Sequence, residues 1–564
     1  MWNQFWTNRG TPFEFDAGPP AGTQWNALFA GTPNYRALGL QRVGREAFRW
    51  HFGPMFYRGR LAPGGARVMI VGQEGAQDES LSHRSFTGGT GGKMQNFLAW
   101  LGITRSYLFL NTFVYPIFGQ YTPDLKWLAQ NDASPIVTHR HAMYQHLAAN
   151  TNLELIVSVG TAAKEAIATW KRMRGGALPA GARYLHVLHP GAAAAGSATA
   201  VRKSFVDAIA QIARWQRDNP GWLAADADGA PQLDRPFVFR NAPVPFRDLP
   251  YGVPWRLGSG STSSNRKDGQ ASIQIFSADG KYNGAASYAG NVDGSAEGYA
   301  DEGNDLPYEP PKVSATAFDP GPTAAIARLL MGQEPGLDWP DFAALGLPGH
   351  PSFGFGAAMR GRSANAALYI LADQESADDL FTMRALTGES GQRLQRWLSK
   401  AGLVRNYFIV RALPVNTLGA TAAKLNAALD DPKVVALHAA LLARVPSAKA
   451  LVAIGSGAQR LAPRINAGGL PVVAMPHWSG AASNPAWQAA LQALQAINYP
   501  KEQAASFAWD GARGQIARAD LPFGTLRWQG SSGTRARYAS GAAAKNYAKL
   551  SMPQWAADLD AEPL

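Results

Sequence analysis

The chain has 564 residues, with 53 Lys and Arg against 41 Asp and Glu, a net charge of +12 and no Cys. The lack of Cys excludes disulfides, Cys-ligated zinc and Cys-ligated iron–sulfur clusters, and no cofactor or metal is expected. The positive charge favours a nucleic acid as partner. No apolar run approaches the roughly 20 residues of a spanning helix, and no secretory pattern is recognised, so a cytoplasmic location without a membrane partner is expected.

The first part of the chain alternates short apolar runs with amphipathic stretches. The run 68–71 predicts a buried strand. A helix that Gly102 ends is predicted by apolar residues at i, i+3, i+4 and i+7, namely Met94, Phe97, Leu98 and Leu101. Further strands are predicted at 107–110, 155–159 and 184–188. This alternation predicts a mostly parallel sheet with helices on both faces.

A polar, Gly-rich loop, VGQEGAQDESLSHRSFTGGTGGK, occupies residues 71–93. A phosphate site is the first interpretation, because a Gly-rich turn after a strand often cradles a phosphate. The spacing excludes it, since the Walker pattern needs a Gly where Thr87 stands and a hydroxyl residue where Met94 stands. The dinucleotide pattern GxGxxG is absent as well. The loop is therefore expected to hold a different ligand.

The chain also repeats itself, because residues 86–110 align without gaps with residues 386–410. Shorter repeats flank this match: RGR at 58–60 and 360–362, FDAGPPA and FDPGPTA, and DLPYG and DLPFG. Two copies of one fold, each with an appendage, explain these ordered matches, and the period is far too long for a solenoid.

Four segments follow from this repeat and from composition. Residues 1–230 and 316–500 are the two copies. Residues 231–315 form a Gly-, Pro- and Ser-rich connecting extension with a predicted hairpin, and residues 501–564 form a basic C-terminal extension. The extensions are interpreted either as solvated linkers or as contacts to DNA phosphates. The candidate DNA-binding residues there are Arg256, Arg266, Lys267, Arg535 and Arg537.

Polar residues follow three of the predicted strands of the first copy. Gln73 and Glu74 follow the first strand, Asn111 ends the second, and His189 follows the fourth. Each alone is explained as well by a loop, turn or packing role. Because ligands of open parallel sheets bind beyond the carboxyl ends of the strands, their convergence favours a site there.

These residues lie in motifs that resemble those of the uracil-DNA glycosylase superfamily: VGQEG (71–75), SFTGGTGG (85–92), LFLNT (108–112) and LHPG (188–191). The resemblance covers about residues 60–215, and the second copy follows it only in outline. It implies a fold class of two tandem α/β copies, each a mostly parallel sheet flanked by helices, with basic loop-rich appendages. It also implies DNA as partner and hydrolytic excision of a base flipped out of the stack.

The resemblance also implies roles for single residues. Glu74 would orient a water or stabilise the cationic sugar, and His189 would donate to a carbonyl of the base. Phe86 would stack on the base and Asn111 would read its Watson–Crick edge. The backbone of Gly72 and Gln73 would support the base. No Lys is given a Schiff-base role, so no lyase activity is expected.

Ala76 stands where one branch of the family has a Tyr that crowds position 5 of a pyrimidine. The smaller residue leaves space for a 5-modified pyrimidine, such as the hydroxymethylated or glucosylated bases of phage DNA, and suggests an antiviral role. Excision of uracil in repair is the alternative. The segment after His189 lacks a large wedge residue, so either another segment fills the gap in the duplex or loosened or single-stranded DNA is preferred.

The second copy differs at the corresponding positions, with Gln374, Leu386 and Arg411. It is interpreted as a pseudo-catalytic partner that docks on the first copy or grips DNA, with Arg411 as a candidate DNA contact. The rival interpretation is a second active site that uses Glu375 and His477. A non-catalytic sensor or clamp is the alternative of another class. The oligomeric state stays open, and the two copies are candidates for an internal pseudo-dimer.

Overall fold

The computed structural model describes residues 14–44, 47–48, 54–75, 79, 82–117, 121–252, 318–342, 344–347, 358–375, 379–415, 417, 419–466 and 468–525. Outside these residues lie the predicted hairpin, Ala76 and the candidate DNA-binding residues Arg256, Arg266, Lys267, Arg535 and Arg537. Within the described part of the chain, no helix combines the length and apolar character needed to cross a membrane.

The first copy contains a five-stranded sheet in the order β1-β3-β2-β4-β5. The strands are β1 Arg58–Gly59, β2 Val68–Gly72, β3 Tyr107–Asn111, β4 Leu155–Val159 and β5 Arg183–Val187. Only the edge strand β1 is antiparallel to its neighbour, and the remaining strand pairs of this sheet are parallel. The predicted strand at 155–159 has the observed bounds, whereas the one at 184–188 begins and ends one residue too late.

Helices precede, connect and follow these strands. They are α1 Gln24–Ala30, α2 Tyr35–Val43, α3 Gly89–Trp100, α4 Pro123–Gln130, α5 Pro135–Asn150, α6 Thr161–Met173 and α7 Ala198–Asp218. A 3-10 turn, Pro190–Ala195, lies between β5 and α7. The helix predicted from residues 94–101 is α3, and Gly102 follows its C-cap in a left-handed conformation, as the pattern predicts.

The second copy repeats this plan, with the sheet order β6-β8-β7-β9-β10. Its strands are β6 Met359–Gly361, β7 Leu368–Ala372, β8 Tyr407–Arg411, β9 Ala450–Ile454 and β10 Val472–Met475. Its helices are α8 Ala324–Leu330, α9 Asp379–Thr382, α10 Glu389–Lys400, α11 Ala422–Asp430, α12 Pro432–Ala443, α13 Ser456–Ile465 and α14 Asn484–Gln495. The predicted fold class, two tandem α/β copies, is confirmed.

The central strands are buried on both faces because their apolar side chains alternate between two helical layers. In β2, Met69 and Val71 enter one core cluster, and Val68 and Ile70 enter the other. β7 divides its residues between two clusters of the second copy in the same way. Both helical layers therefore pack against β2 up to its carboxyl end, and the predicted site residues begin there.

The described parts of both extensions pack on the copies. In the first extension, the Gln232 N–H donates to the carbonyl of Trp100 at 2.9 Å. In the second, the Gly514 N–H donates to the carbonyl of Gln392 at 2.7 Å. Each extension thus closes over the helix that follows the Gly-rich loop of its own copy, α3 or α10.

A buried ion pair holds Asp248, in the described part of the first extension, against the first copy. Asp248 is fully buried, and its Oδ2 accepts from Arg58 Nη1 at 2.9 Å and from the Tyr107 hydroxyl at 2.6 Å. Burial raises the pKa of Tyr107, so its phenol stays protonated and donates. Arg60 also pairs with Asp248. A buried carboxylate with three donors offsets the cost of burying Arg58.

We expect Asp248→Ala to lower the free energy of unfolding by about 3–5 kcal/mol, because it leaves the Arg58 charge buried without its carboxylate. Urea unfolding measures this. The matched control is Asp207→Ala, which removes an exposed partner of Lys203 and should cost no more than about 1 kcal/mol. Equal, small effects of both changes would show that the buried pair contributes little.

Candidate functional site

Four of the predicted residues start at one edge of the first sheet. Gly72 ends β2 directly opposite Asn111, which ends β3. Beyond this pair, the Gly72 carbonyl accepts from the Thr112 N–H at 2.8 Å and the Gln73 carbonyl accepts from the Phe113 N–H at 2.9 Å. Gln73 and Glu74 therefore leave the sheet immediately beside Asn111.

Gly72 is needed because two side chains occupy the place of its missing Cβ. A Cβ there would lie 2.5 Å from Phe86 Cζ and 2.7 Å from Asn111 Oδ1. The Phe86 ring is buried and also packs against Phe109, with ring centroids 4.8 Å apart. The aromatic ring and the amide thus meet over the backbone of Gly72.

Phe86 has a left-handed backbone with φ of +58°, which is unfavourable for an aromatic residue. Neighbouring contacts hold it there. Glu79 Oε1 accepts from the N–H groups of Thr87 and Gly88 at 3.0 and 3.1 Å. Gly91 lets α3 approach, because a Cβ on it would lie 1.8 Å from the Phe86 carbonyl oxygen. The turn is therefore imposed by its surroundings.

Ser85 sets the orientation of the Asn111 amide. The Ser85 hydroxyl donates to the Met55 carbonyl at 3.0 Å, which leaves its lone pairs to accept from Asn111 Nδ2 at 3.2 Å. Asn111 is 2% exposed, and its Oδ1 has no hydrogen-bond partner among the described residues. This buried acceptor, next to Phe86, is suited to a ligand that brings an N–H group.

Glu74 is half-buried at the same edge, and its Oε2 accepts from the Gln73 side-chain amide at 2.9 Å. His189 follows β5, whose carboxyl end shares this edge because β2, β3, β4 and β5 are parallel. The structure thus brings an acid and an imidazole to the edge that carries Phe86 and Asn111.

The backbone fixes the tautomer of His189. Its Nδ1 accepts from the Gly191 N–H at 3.0 Å, at the start of the turn Pro190–Ala195. The neutral ring therefore carries its proton on Nε2, which makes Nε2 a donor. The turn itself packs against α3, the helix that begins beside Phe86.

Arg411 lies at the position of Asn111 in the second copy and is 1% exposed. One of its nitrogens, Nη2, donates to Gln374 Oε1 at 2.8 Å and to the Val415 carbonyl at 2.6 Å. Burial lowers its pKa. An enclosed guanidinium gives no support to the expectation that Arg411 contacts DNA.

The second copy has internal contacts at the corresponding edge. Ala372 and Leu386 stand in place of Gly72 and Phe86, and both join its apolar core. Gln374 Oε1 accepts from Arg411 and from the Thr417 N–H at 2.7 Å. The counterparts of Asn111 and Glu74, Arg411 and Gln374, are thus hydrogen-bonded to each other.

The carboxylates of the second copy face helix N-termini. Glu375 accepts from the Ser390 N–H at 2.8 Å and thereby caps α10. Asp373 accepts from the Gly457 N–H at 2.7 Å, in the first turn of α13, and burial raises its pKa. His477 follows β10 as His189 follows β5, and burial lowers its pKa to about 4. The two carboxylates thus stabilise the N-terminal turns of α10 and α13 in the arrangement seen.

Two supporting residues have roles that the sequence did not reveal, Ser85 and Glu79. Ser85 precedes Phe86 directly, and its adjacency to the aromatic was the available signal. Glu79 offers none, because only the folded loop brings its carboxylate to Thr87. In the described residues, no group of three or more His, Asp and Glu side chains is arranged to hold a metal ion.

Comparison with known protein families adds one result. The uracil DNA glycosylase superfamily matches the chain twice, over residues 59–213 and over residues 360–498. The two matches span the two sheets and the helices that connect and follow their strands, whereas α1, α2 and α8 precede the matched residues. A search of curated proteins finds no significant match.

We expect Gly72→Ala to lower the free energy of unfolding by about 1–3 kcal/mol, because its Cβ collides with Phe86 and Asn111. The double variant Gly72→Ala/Phe86→Leu copies the Ala372 and Leu386 pair of the second copy and should recover part of this loss. Urea unfolding of both variants measures the effect. A double variant no more stable than the single one would contradict this account.

Proposed function

The chain belongs to the uracil-DNA glycosylase superfamily, and we propose that its first copy is a DNA glycosylase that hydrolyses the bond between deoxyribose and a flipped pyrimidine. The observation that carries the proposal is the buried Asn111 Oδ1 beside Phe86, on the edge that also carries Glu74 and His189. The product is an abasic site, and the reaction needs water alone as co-reactant.

Recognition of the base is proposed to rest on Phe86 and Asn111. The aromatic ring offers an apolar surface for stacking, which accepts any base. The Asn111 Oδ1 selects a base edge with a donor, because the hydrogen bond from the amide nitrogen to Ser85 fixes this oxygen on the side of Gly72 and Phe86. N3–H of uracil-type bases and the N4 amino group of cytosine-type bases both meet this requirement.

Bond cleavage is proposed to rest on Glu74 and His189. As the glycosidic bond breaks, its electron pair leaves with the base and positive charge develops on the sugar. The Glu74 carboxylate stabilises that cation or orients the water that adds to it. The His189 Nε2–H donates to a carbonyl of the departing base and stabilises its negative charge.

The identity of the base is a finer proposal that rests on the sequence. Ala76 leaves room at position 5 of a pyrimidine, which favours a 5-modified base of the phage type and a role in antiviral defence. Excision of uracil in DNA repair is the competing substrate assignment. A sensor or clamp without catalysis is the competing class.

The second copy is proposed to be pseudo-catalytic. Arg411 and Gln374 bond to each other where the first copy presents Asn111 and Glu74. Glu375, the remaining acid nearby, caps α10. A second active site would require these contacts to be exchanged for contacts to a base.

We expect the protein to produce alkali-sensitive strand breaks in DNA that carries uracil, hydroxymethylcytosine or glucosylated hydroxymethylcytosine at one position. Glu74→Gln should lower the rate of excision by about 100-fold or more while DNA binding persists, because charge stabilisation of the transition state is lost. Gel analysis of end-labelled DNA identifies the base.

The control is Gln374→Ala, the same position in the second copy, which should leave excision close to wild type. Tight DNA binding without breaks in any substrate would favour the sensor or clamp. Excision that persists in Glu74→Gln and disappears only in the double variant Glu74→Gln/Glu375→Gln would favour a second working site.

We expect Ser85→Ala to lower kcat/KM for the excised base, since it frees the Asn111 amide to turn and Oδ1 is then no longer held as the acceptor for the base. The loss of one hydrogen bond, about 1 kcal/mol, corresponds to roughly a fivefold decrease in kcat/KM. Single-turnover excision on the same DNA measures kcat/KM in the variant and in the wild type. An unchanged kcat/KM would mean that Ser85 does not set the amide orientation.

A further inference from the structure

A short segment of each extension connects its own copy to the other copy. We call residues 248–252 (DLPYG) the first strap and residues 520–524 (DLPFG) the second strap. Each strap begins on its own copy, since Asp248 pairs with Arg58 and Asp520 with Arg360. Each then ends in the other copy, because Tyr251 joins a core cluster of the second copy and Phe523 joins one of the first.

Phe523 is an integral part of the first copy's core. It is 4% exposed and packs against Phe29, Phe56 and Tyr57, with ring centroids 5.6, 6.0 and 6.1 Å away. The Phe523 carbonyl accepts from Arg84 Nη1 at 2.9 Å. The second strap therefore contributes both an apolar side chain and a backbone acceptor to the first copy.

These contacts fall on the segment that builds the base site. Arg84 lies between His83 and Ser85, and a Cβ on Gly524 would lie 2.9 Å from His83 Cβ. His83 and Phe86 both have a φ of +58°, so the segment 83–86 departs twice from ordinary backbone geometry. Such conformations persist only where the surroundings impose them, and the second strap is part of those surroundings.

Arg84 connects the strap to the rest of the first copy. It is fully buried, its Nε donates to Asp16 Oδ2 at 2.7 Å, and its Nη1 also donates to the His83 carbonyl at 2.9 Å. Directly after it come Ser85, which orients the Asn111 amide, and Phe86, which lies on Gly72. A shift of Phe523 would therefore displace Ser85 and Phe86, because these residues directly follow Arg84, which donates to the Phe523 carbonyl.

The first strap makes the equivalent contacts in the second copy. Tyr251 is 1% exposed there, and its carbonyl accepts from Arg384 Nη1 at 3.2 Å. Arg384 Nε donates to Asp319 as Arg84 Nε donates to Asp16. The segment it supports ends at Leu386, in the copy whose base site is filled by Arg411. The strap contacts thus support a proposed base site in the first copy only.

We infer that the second copy acts as a positioning domain for the first. Its strap, through Phe523, holds residues 83–86 in the backbone conformation that positions Ser85 and Phe86. Phe523 is a positioning residue, since it lies behind the segment and does not line the base site. The inference rests on the proposed function for its catalytic readout. It assigns the second copy the role of completing the site of the first.

The test compares Phe523→Ala with Tyr251→Ala in the full chain, each well below its unfolding temperature. Both remove a buried aromatic at an equivalent place. Phe523→Ala should lower kcat by about tenfold or more with a smaller effect on KM for DNA, because misplaced contacts impair the reacting geometry. Tyr251→Ala should leave kcat close to wild type.

Two further variants separate positioning from folding. Phe523→Tyr introduces the residue that the first strap carries and should restore kcat to near the wild-type value. Phe523→Leu removes the ring contacts but keeps an apolar side chain, so it should fold and lower kcat by a smaller factor than Phe523→Ala. It therefore tests the inference should Phe523→Ala not fold. Equal kcat losses in the Phe523 and Tyr251 variants, or unchanged kcat in every Phe523→Leu or Phe523→Ala variant that folds, would overturn the inference.

Amide hydrogen exchange gives a readout that is independent of activity. Phe523→Ala should raise exchange selectively in residues 83–88, and Tyr251→Ala should raise it in residues 383–388. If the wild-type protein excises no base and this selective pattern is still seen, the glycosylase proposal fails and the positioning role stands. Uniform exchange changes, or none, would overturn the positioning role itself.

Discussion

A buried arginine holds together the parts of each copy on which the site depends. In the first copy, Arg58 Nε donates to the Ser85 carbonyl at 3.1 Å, and its Nη1 donates to Gln95 and to Asp248, both at 2.9 Å. One guanidinium thus joins the base-site segment, helix α3 and the first strap. Because a charge buried without these partners would be costly, the three elements have to assemble together.

The second copy contains the same network. Arg360 donates to the Ala385 carbonyl, to Gln395 and to Asp520, the counterparts of the three partners of Arg58. The repeats RGR and DLPYG/DLPFG are explained by this arrangement, since they supply the arginine and the aspartate. The network therefore explains why the two copies share these residues, although Asn111 of the first copy corresponds to Arg411 of the second.

Sequence patterns predicted the elements whose information is local. Strand β4 and helix α3 followed from apolar periodicity, and the four motifs placed Phe86, Asn111 and His189 on the correct elements. Edge strand β1, with only Arg58–Gly59, is too short for any pattern to reveal. The strap exchange depends on contacts between residues far apart in the sequence, such as Arg84 and Phe523, which are 439 positions apart. Local sequence patterns carry no information about such contacts. The repeat indicated that the straps are equivalent, and only the fold reveals that each enters the opposite copy.

The left-handed turn at Phe86 bears on how the two copies are related. Leu386 has nearly the same φ, +57° against +58°, although it is aliphatic. The supports recur too, since Asp379 accepts from the Thr387 N–H as Glu79 does from Thr87, and Gly391 lies against the Leu386 carbonyl as Gly91 does against Phe86. The strained turn thus belongs to the common scaffold and does not depend on an aromatic side chain. What distinguishes the two edges is the set of side chains on that scaffold. The first copy has Phe, Gly, Asn and Glu there, whereas the second has Leu, Ala, Arg and Gln, of which the Arg and the Gln hydrogen-bond to each other.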